Sequence, residues 1–202
     1  MPNSLQKLNI GCGSSPTEGW VNLDFRDGPG VDVVFDLESC GENRLPLEDN
    51  SISEFKASHI LEHIRNILPL MEELHRVATD GALLTAAMPH IGSDGAWGDP
   101  THVRGMSVFA LRYFSQPWYH FADYGYRGDW DIERVRYKVG RKRAGADIAD
   151  HQRLMDRVDM ERNFVNEMVA DLRAVKPARP RGEGKLPSIR YEFELLGKKP
   201  DQ

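Results

Sequence analysis

The chain has 202 residues, 40% of them hydrophobic and 28% charged, which suits one globular domain with a sizeable core and excludes a disordered or fibrous protein. Its net charge of −5 argues against a general nucleic-acid binder. No apolar run approaches the ~20 residues that span a bilayer, Met1 to Lys7 carries no apolar signal segment, and Cys12 and Cys40 imply no disulfide framework, so the expectation is a cytoplasmic protein without membrane attachment.

In chain order, the first predicted strand, Lys7–Ile10, runs into the turn Gly11-Cys12-Gly13. Glycine there lets the backbone pass close to a ligand, because no Cβ intervenes. A second strand, Trp20–Asp24, ends on a carboxylate, which can accept both hydroxyl protons of a ribose. Only six residues, Ser14 to Gly19, separate the two, where a full βαβ crossover needs roughly ten or more. The first helix is therefore reduced to about a turn, or missing. Cys12 reads as a packing residue, having no basic neighbour to activate it.

Further strands are predicted at Val31–Asp36, Ile52–Ala57 and Ala82–Met88. Between the last two, Asn66 to Ala78 reads as a helix with Ile67, Leu68, Leu70, Met71, Leu74 and Val77 on one face, closed by Asp80-Gly81. Strands alternating with helical segments favour a parallel α/β sheet. Ile91 to Trp130 holds ten of the 18 aromatic residues and reads as an insertion after the fifth strand, where open α/β sheets place substrate sites. Phe109 and Tyr113, at helical spacing, are expected to be buried; the other rings suit a lid or a homodimer surface. Asp150 to Val175 reads as one long polar helix, with an apolar stripe of Phe164, Val165, Met168, Val169 and Leu172. After a basic Pro/Gly-rich loop, Lys176 to Pro187, residues Ser188 to Leu196 alternate as a half-buried strand expected to pair with Glu133–Val139 at the sheet edge. Two basic stretches, Arg134 to Arg143 and Lys176 to Lys185, read as solvated surface or as a site for an anionic acceptor.

The order Asn9-x-Gly11-x-Gly13 followed by Asp24 resembles motif I of the S-adenosylmethionine (SAM)-dependent methyltransferases. Leu45-Pro46-Leu47-Glu48-Asp49-Asn50-Ser51, then Leu61-Glu62-His63, then Glu73-Leu74-His75-Arg76-Val77 with Asp80-Gly81, resemble the motif series of the type-11-like group of that family. The resemblance covers roughly residues 7 to 90, with a looser echo at Asp99 to Arg104. It implies a Rossmann-like class I methyltransferase of the α/β class: a mostly parallel sheet with an antiparallel edge strand, in a single domain over 1–202 with the aromatic insertion at about 91–130. It also implies SAM as cofactor. Asn9, Gly11, Cys12 and Gly13 would border its methionine portion and Asp24 its ribose. Asp36 and Leu37 would meet the adenine, and Ser58 and His59 the methionyl side. The third glycine of the family turn is absent, with Ser14 and Ser15 in its place. A small-molecule or glycan hydroxyl is the expected acceptor, with His90 or His102 as general base.

Three alternatives stand beside this. His59-Ile60-Leu61-Glu62-His63 matches the H-x-x-E-H pattern of inverted zinc peptidases; the same letters occur in the methyltransferase motif, and the expectation is no metal. A dinucleotide oxidoreductase requires glycine at the sixth position of the turn, which is Pro16. A non-catalytic SAM-binding descendant remains open because of the short first crossover.

Overall fold

The computed structural model describes residues 5–197, so the first four residues of the Met1 to Lys7 segment lie outside the described residues. Eight strands form one sheet: β1 (Gln6–Ile10), β2 (Val21–Asp24), β3 (Val33–Val34), β4 (Ile52–Ser58), β5 (Ala78–Pro89), β6 (Trp130–Gly140), β7 (Val165–Ala174) and β8 (Arg190–Leu196). The helices are α1 (Ile67–Val77), α2 (Gly95–Gly98), α3 (Val108–Arg112), α4 (Arg141–Ala144) and α5 (His151–Met160). Strand order is β3-β2-β1-β4-β5-β7-β6-β8, and β7 alone runs against the others. The chain moves outward from β1 through β2 to β3, then returns to place β4 on the other side of β1. That reversal opens a crevice at the carboxyl ends of β1 and β4.

Leu8, Asn9 and Ile10 of β1 are all buried, so both sheet faces are covered at its end. No helix joins β1 to β2. A polar network closes the short connection instead. The Asn9 amide donates to Ser15 O and Thr17 Oγ1 at 3.3 Å and to Asn22 Oδ1 at 2.9 Å, while Thr17 N donates to the same Asn22 oxygen at 2.7 Å. Asn22 N in turn donates to Asp32 Oδ2 at 2.8 Å.

Helix α1 begins where the Glu38 carboxylate accepts from Arg65 N and Asn66 N, an anion at the positive end of the helix. Its inner face buries Ile67, Leu70, Met71, Leu74 and Val77. Glu73 and Arg76, one turn apart, clasp the 45–49 loop: Glu73 Oε2 accepts from Leu45 N, and Arg76 donates to Leu45 O, Leu47 O and Asp49. Two of the motifs therefore hold each other and not a ligand.

The structure corrects several expectations. Asp80-Gly81 does not close α1. The helix ends at Val77, β5 starts directly at Ala78, and Asp80-Gly81 sits at a register shift where β5 slips against β4. Gly81 takes φ +73° there. The third strand is only Val33–Val34. The long helix over 150–175 is two elements, α5 and then β7. Val165, Met168, Val169 and Leu172 fit a helical stripe, but between β5 and β6 the strand is covered on both faces. A doubly buried strand and a helix face share that apolar pattern. Phe109 is 57% exposed, whereas Tyr119, Tyr126 and Trp130 of the same insertion form core. The last strand pairs as anticipated, Arg134 opposite Arg190 through Gly140 opposite Leu196.

Candidate functional site

Because the strands are parallel, the ends of β1, β2, β4 and β5 share one edge of the sheet. Gly11 follows β1 with φ +62°, and a Cβ on it would lie 2.8 Å from Ile60 Cγ1, so side-chain-free backbone is required by conformation and by space. Gly13, at φ +51°, has no atom within 4 Å of a built Cβ; its face is open. Asp24, at the tip of β2 and 8% exposed, accepts from Gly13 N at 2.8 Å through Oδ2 and from Arg26 N at 3.1 Å through Oδ1. A carboxylate oxygen has two lone-pair sites, so each oxygen keeps one for a ligand. An open cleft of about 510 Å³ is lined by Gly13, Ser14, Asp24, Phe25, Arg26 and the following 27–31 segment.

Other predicted residues sit elsewhere. Asn9 spends its amide on the loop network and is 2% exposed. The buried Cys12 thiol is pushed up in pKa by desolvation and then by the Asp24 charge, as befits a packing residue. Asp36 Oδ1 caps the Leu37–Gly41 turn by accepting from Glu38 N at 3.0 Å, and Leu37 packs into the core. Neither lines the cleft holding Asp24.

Ser58 and His59 lie exposed at the end of β4, His59 with φ +52°. His59 Nε2 is 3.0 Å from Glu167 Oε2, and Lys138 Nζ reaches the other oxygen of Glu167 at 2.6 Å. Glu62, followed by Glu167, raises the His59 pKa against the effect of burial. Sequence reasoning missed Glu167 because it read β7 as helix; only an antiparallel β7 brings it opposite Pro89 at this edge.

His90 is not placed to act as a base. It is 8% exposed, packs edge-on against Tyr137 at 5.7 Å, and accepts from Gly92 N through Nδ1. Desolvation lowers its pKa. His102 meets His63, their rings 4.7 Å apart, with Glu62 beside them. Two residues on, Arg104 lines a second cavity of about 410 Å³, walled by Ile67, Ile91, Met106, Tyr113 and Tyr124 among others.

Neither a family model nor a curated protein sequence matches this chain. Solved structures do resemble it. A SAM-dependent methyltransferase from Archaeoglobus fulgidus is 17% identical over 85% of this chain and 86% of its own, with a TM-score of 0.57. The chain has the fold of the SAM-dependent methyltransferases. Another such structure, from Methanosarcina mazei, is 14% identical over 87% of this chain and 94% of its own, at a TM-score of 0.52. The same methyltransferase fold is shared by the [4+2]-cyclase SpnF, 14% identical over 86% of this chain and 76% of its own, also at 0.52. A common fold does not by itself assign a reaction.

Proposed function

We propose that the chain is a SAM-dependent methyltransferase that methylates a hydroxyl of a small molecule or carbohydrate. The observation that carries this is the pairing of Gly13, with open space where a Cβ would stand, and Asp24, whose two oxygens each keep an acceptor site, in one cleft. Its volume of about 510 Å³ suits a nucleoside-sized ligand. SAM would supply an electrophilic methyl group when bound. The chain's part is to hold donor and acceptor close and in line. In this reading Asp24 takes the ribose hydroxyls, Gly11 and Gly13 let the backbone approach, and the aromatic-walled cavity beside Arg104 receives the acceptor. Ser58 and His59, exposed at the end of β4, remain candidates for the methionyl side.

A second reading is a protein that binds SAM without turning it over. The missing first helix favours it, since that helix's N-terminus is absent from the cofactor's side. Isothermal calorimetry with SAM, S-adenosylhomocysteine and NAD tests the shared premise. The expected result is binding of the first two and not of NAD; binding of NAD alone overturns both readings. Methyl transfer to any of a panel of hydroxylated acceptors then separates the first reading from the second.

A further inference from the structure

We propose that Glu62, His63 and His102 form a binding site for a divalent transition metal of the zinc class. One ligand atom from each of the three lies within 4.8 Å of the other two. The set differs from the H-x-x-E-H pattern of the sequence. Leu61–His63 is a 3-10 turn and not an α-helix, and His59 turns its Nε2 towards Glu167. His102, from the loop after β5, takes the place that the sequence pattern gives to His59.

Three features make this a built site. First, Glu62 is 1% exposed and neither of its carboxylate oxygens has a hydrogen-bond partner. His59 Nδ1 lies 3.3 Å from Oε1, close enough for charge attraction but not aligned to donate. A buried, unpaired carboxylate is costly unless a cation meets it.

Second, both imidazoles are already oriented as ligands. Ala96 O can only accept, so His102 Nδ1, 3.1 Å away, carries the proton. Thr101 Oγ1 donates to Asp99 Oδ1 at 2.6 Å and therefore accepts from His63 Nδ1 at 3.0 Å. Each ring is thus left with a bare Nε2. A carbonyl or hydroxyl holding the distal N–H is the usual outer support of a metal-bound histidine.

Third, the chain itself locks the two segments together. Val103 N donates to Glu62 O at 2.9 Å, and Arg104 donates to Ile64 O and Arg65 O at 2.6 Å.

Nitrogen and carboxylate donors favour zinc and its neighbours over magnesium or calcium. Donors held ~2.0–2.1 Å from a tetrahedral ion stand ~3.4 Å apart, so the set closes by about an ångström and a half as the ion enters. Three protein ligands leave a fourth position open, as in catalytic zinc sites. Asp99, whose Oδ2 is 3.9 Å from His102 Nε2, borders the set. Under the methyltransferase reading, on which this last step rests, the open position takes the acceptor hydroxyl. The ion then lowers the hydroxyl's pKa, and His102 serves as ligand instead of base.

The test is calorimetric titration of the chelator-stripped full chain with zinc chloride, without cofactor, alongside a separate S-adenosylhomocysteine titration. One zinc per chain is expected. His63→Ala and His102→Ala should each weaken it at least 100-fold, and Thr101→Ala, which touches only the distal nitrogen of His63, by ~10–100-fold. His59→Ala should leave it within threefold. Circular dichroism identifies any variant that fails to fold, and the exposed Thr101 provides a mild substitution. No stoichiometric zinc, unchanged affinity in His102→Ala, or loss of binding in His59→Ala overturns the site. Zinc binding without S-adenosylhomocysteine binding keeps the site and removes the methyltransferase reading; the converse result does the opposite.

Discussion

Replacing Asp24 with Asn tests the cofactor cleft most directly. The carboxylate accepts Gly13 N–H on one oxygen and Arg26 N–H on the other. An amide has one oxygen, so one of these backbone donors must face an NH₂ group. That alone should lower stability by ~1–3 kcal/mol, the range for a donor left unsatisfied near the interior. Ligand affinity should fall further. Hydrogen bonds to a charged acceptor contribute ~1.5–3 kcal/mol, and at ~1.4 kcal/mol per tenfold the dissociation constant for S-adenosylhomocysteine should rise ~10- to 150-fold. The assay is calorimetry on protein whose thermal melt remains cooperative. Asp36→Asn is the comparison. That side chain caps a turn and does not line the cleft, so its effect should be confined to a cap's ~0.5–2 kcal/mol of stability. A folded Asp24→Asn variant with unchanged affinity would show that the ribose lies elsewhere.

Gly11→Ala should destabilise by ~2–5 kcal/mol, summing a left-handed backbone strain of ~1–2 and overpacking against Ile60 of ~1–3. Gly13→Ala, with open space around it, should lose only the first part; equal losses in urea unfolding would contradict this account. Asp129, fully buried, accepts from Gln116 N and from Arg179 N, Nε and Nη2 at 2.7–3.0 Å, so Asp129→Ala should cost ~3–5 kcal/mol; a melt within a degree of the parent's would refute that. His59 has a raised folded-state pKa, mainly through Glu62, so the folded state binds its proton more tightly. Its stabilisation is fully present below the unfolded value of ~6.5 and is lost as pH rises through the folded value. The stability advantage of the parent over His59→Gln should therefore shrink from pH 6 to pH 9. His90, depressed by desolvation, has the opposite sign: its contribution is present above ~6.5 and lost as pH falls. A His90→Gln variant should narrow the gap to the parent on acidification, and a gap that widens would reverse the assignment.

The sequence by itself determined the half of the protein whose signals are local. The strand–glycine–strand–acid order at Lys7 to Asp24 could be read because a strand end, a left-handed turn and a terminal carboxylate follow each other within a few residues. The missing first helix could be read from chain length alone. The α1 segment declared its apolar face through its periodicity, and the last strand through its alternation. Only the tertiary structure decided the rest. Met168 and Leu172 are compatible with a helix or a doubly buried strand, and the choice depends on β5 and β6 flanking them on either side. Glu167 reaches His59 through that choice, across 108 positions of chain. Glu73 and Arg76 read as motif letters, yet their partners are the backbone of a loop some 28 residues away. His102 meets His63 and Glu62 because the loop after β5 folds back over the end of β4, a long-range contact that leaves no periodic or spacing signal in the chain.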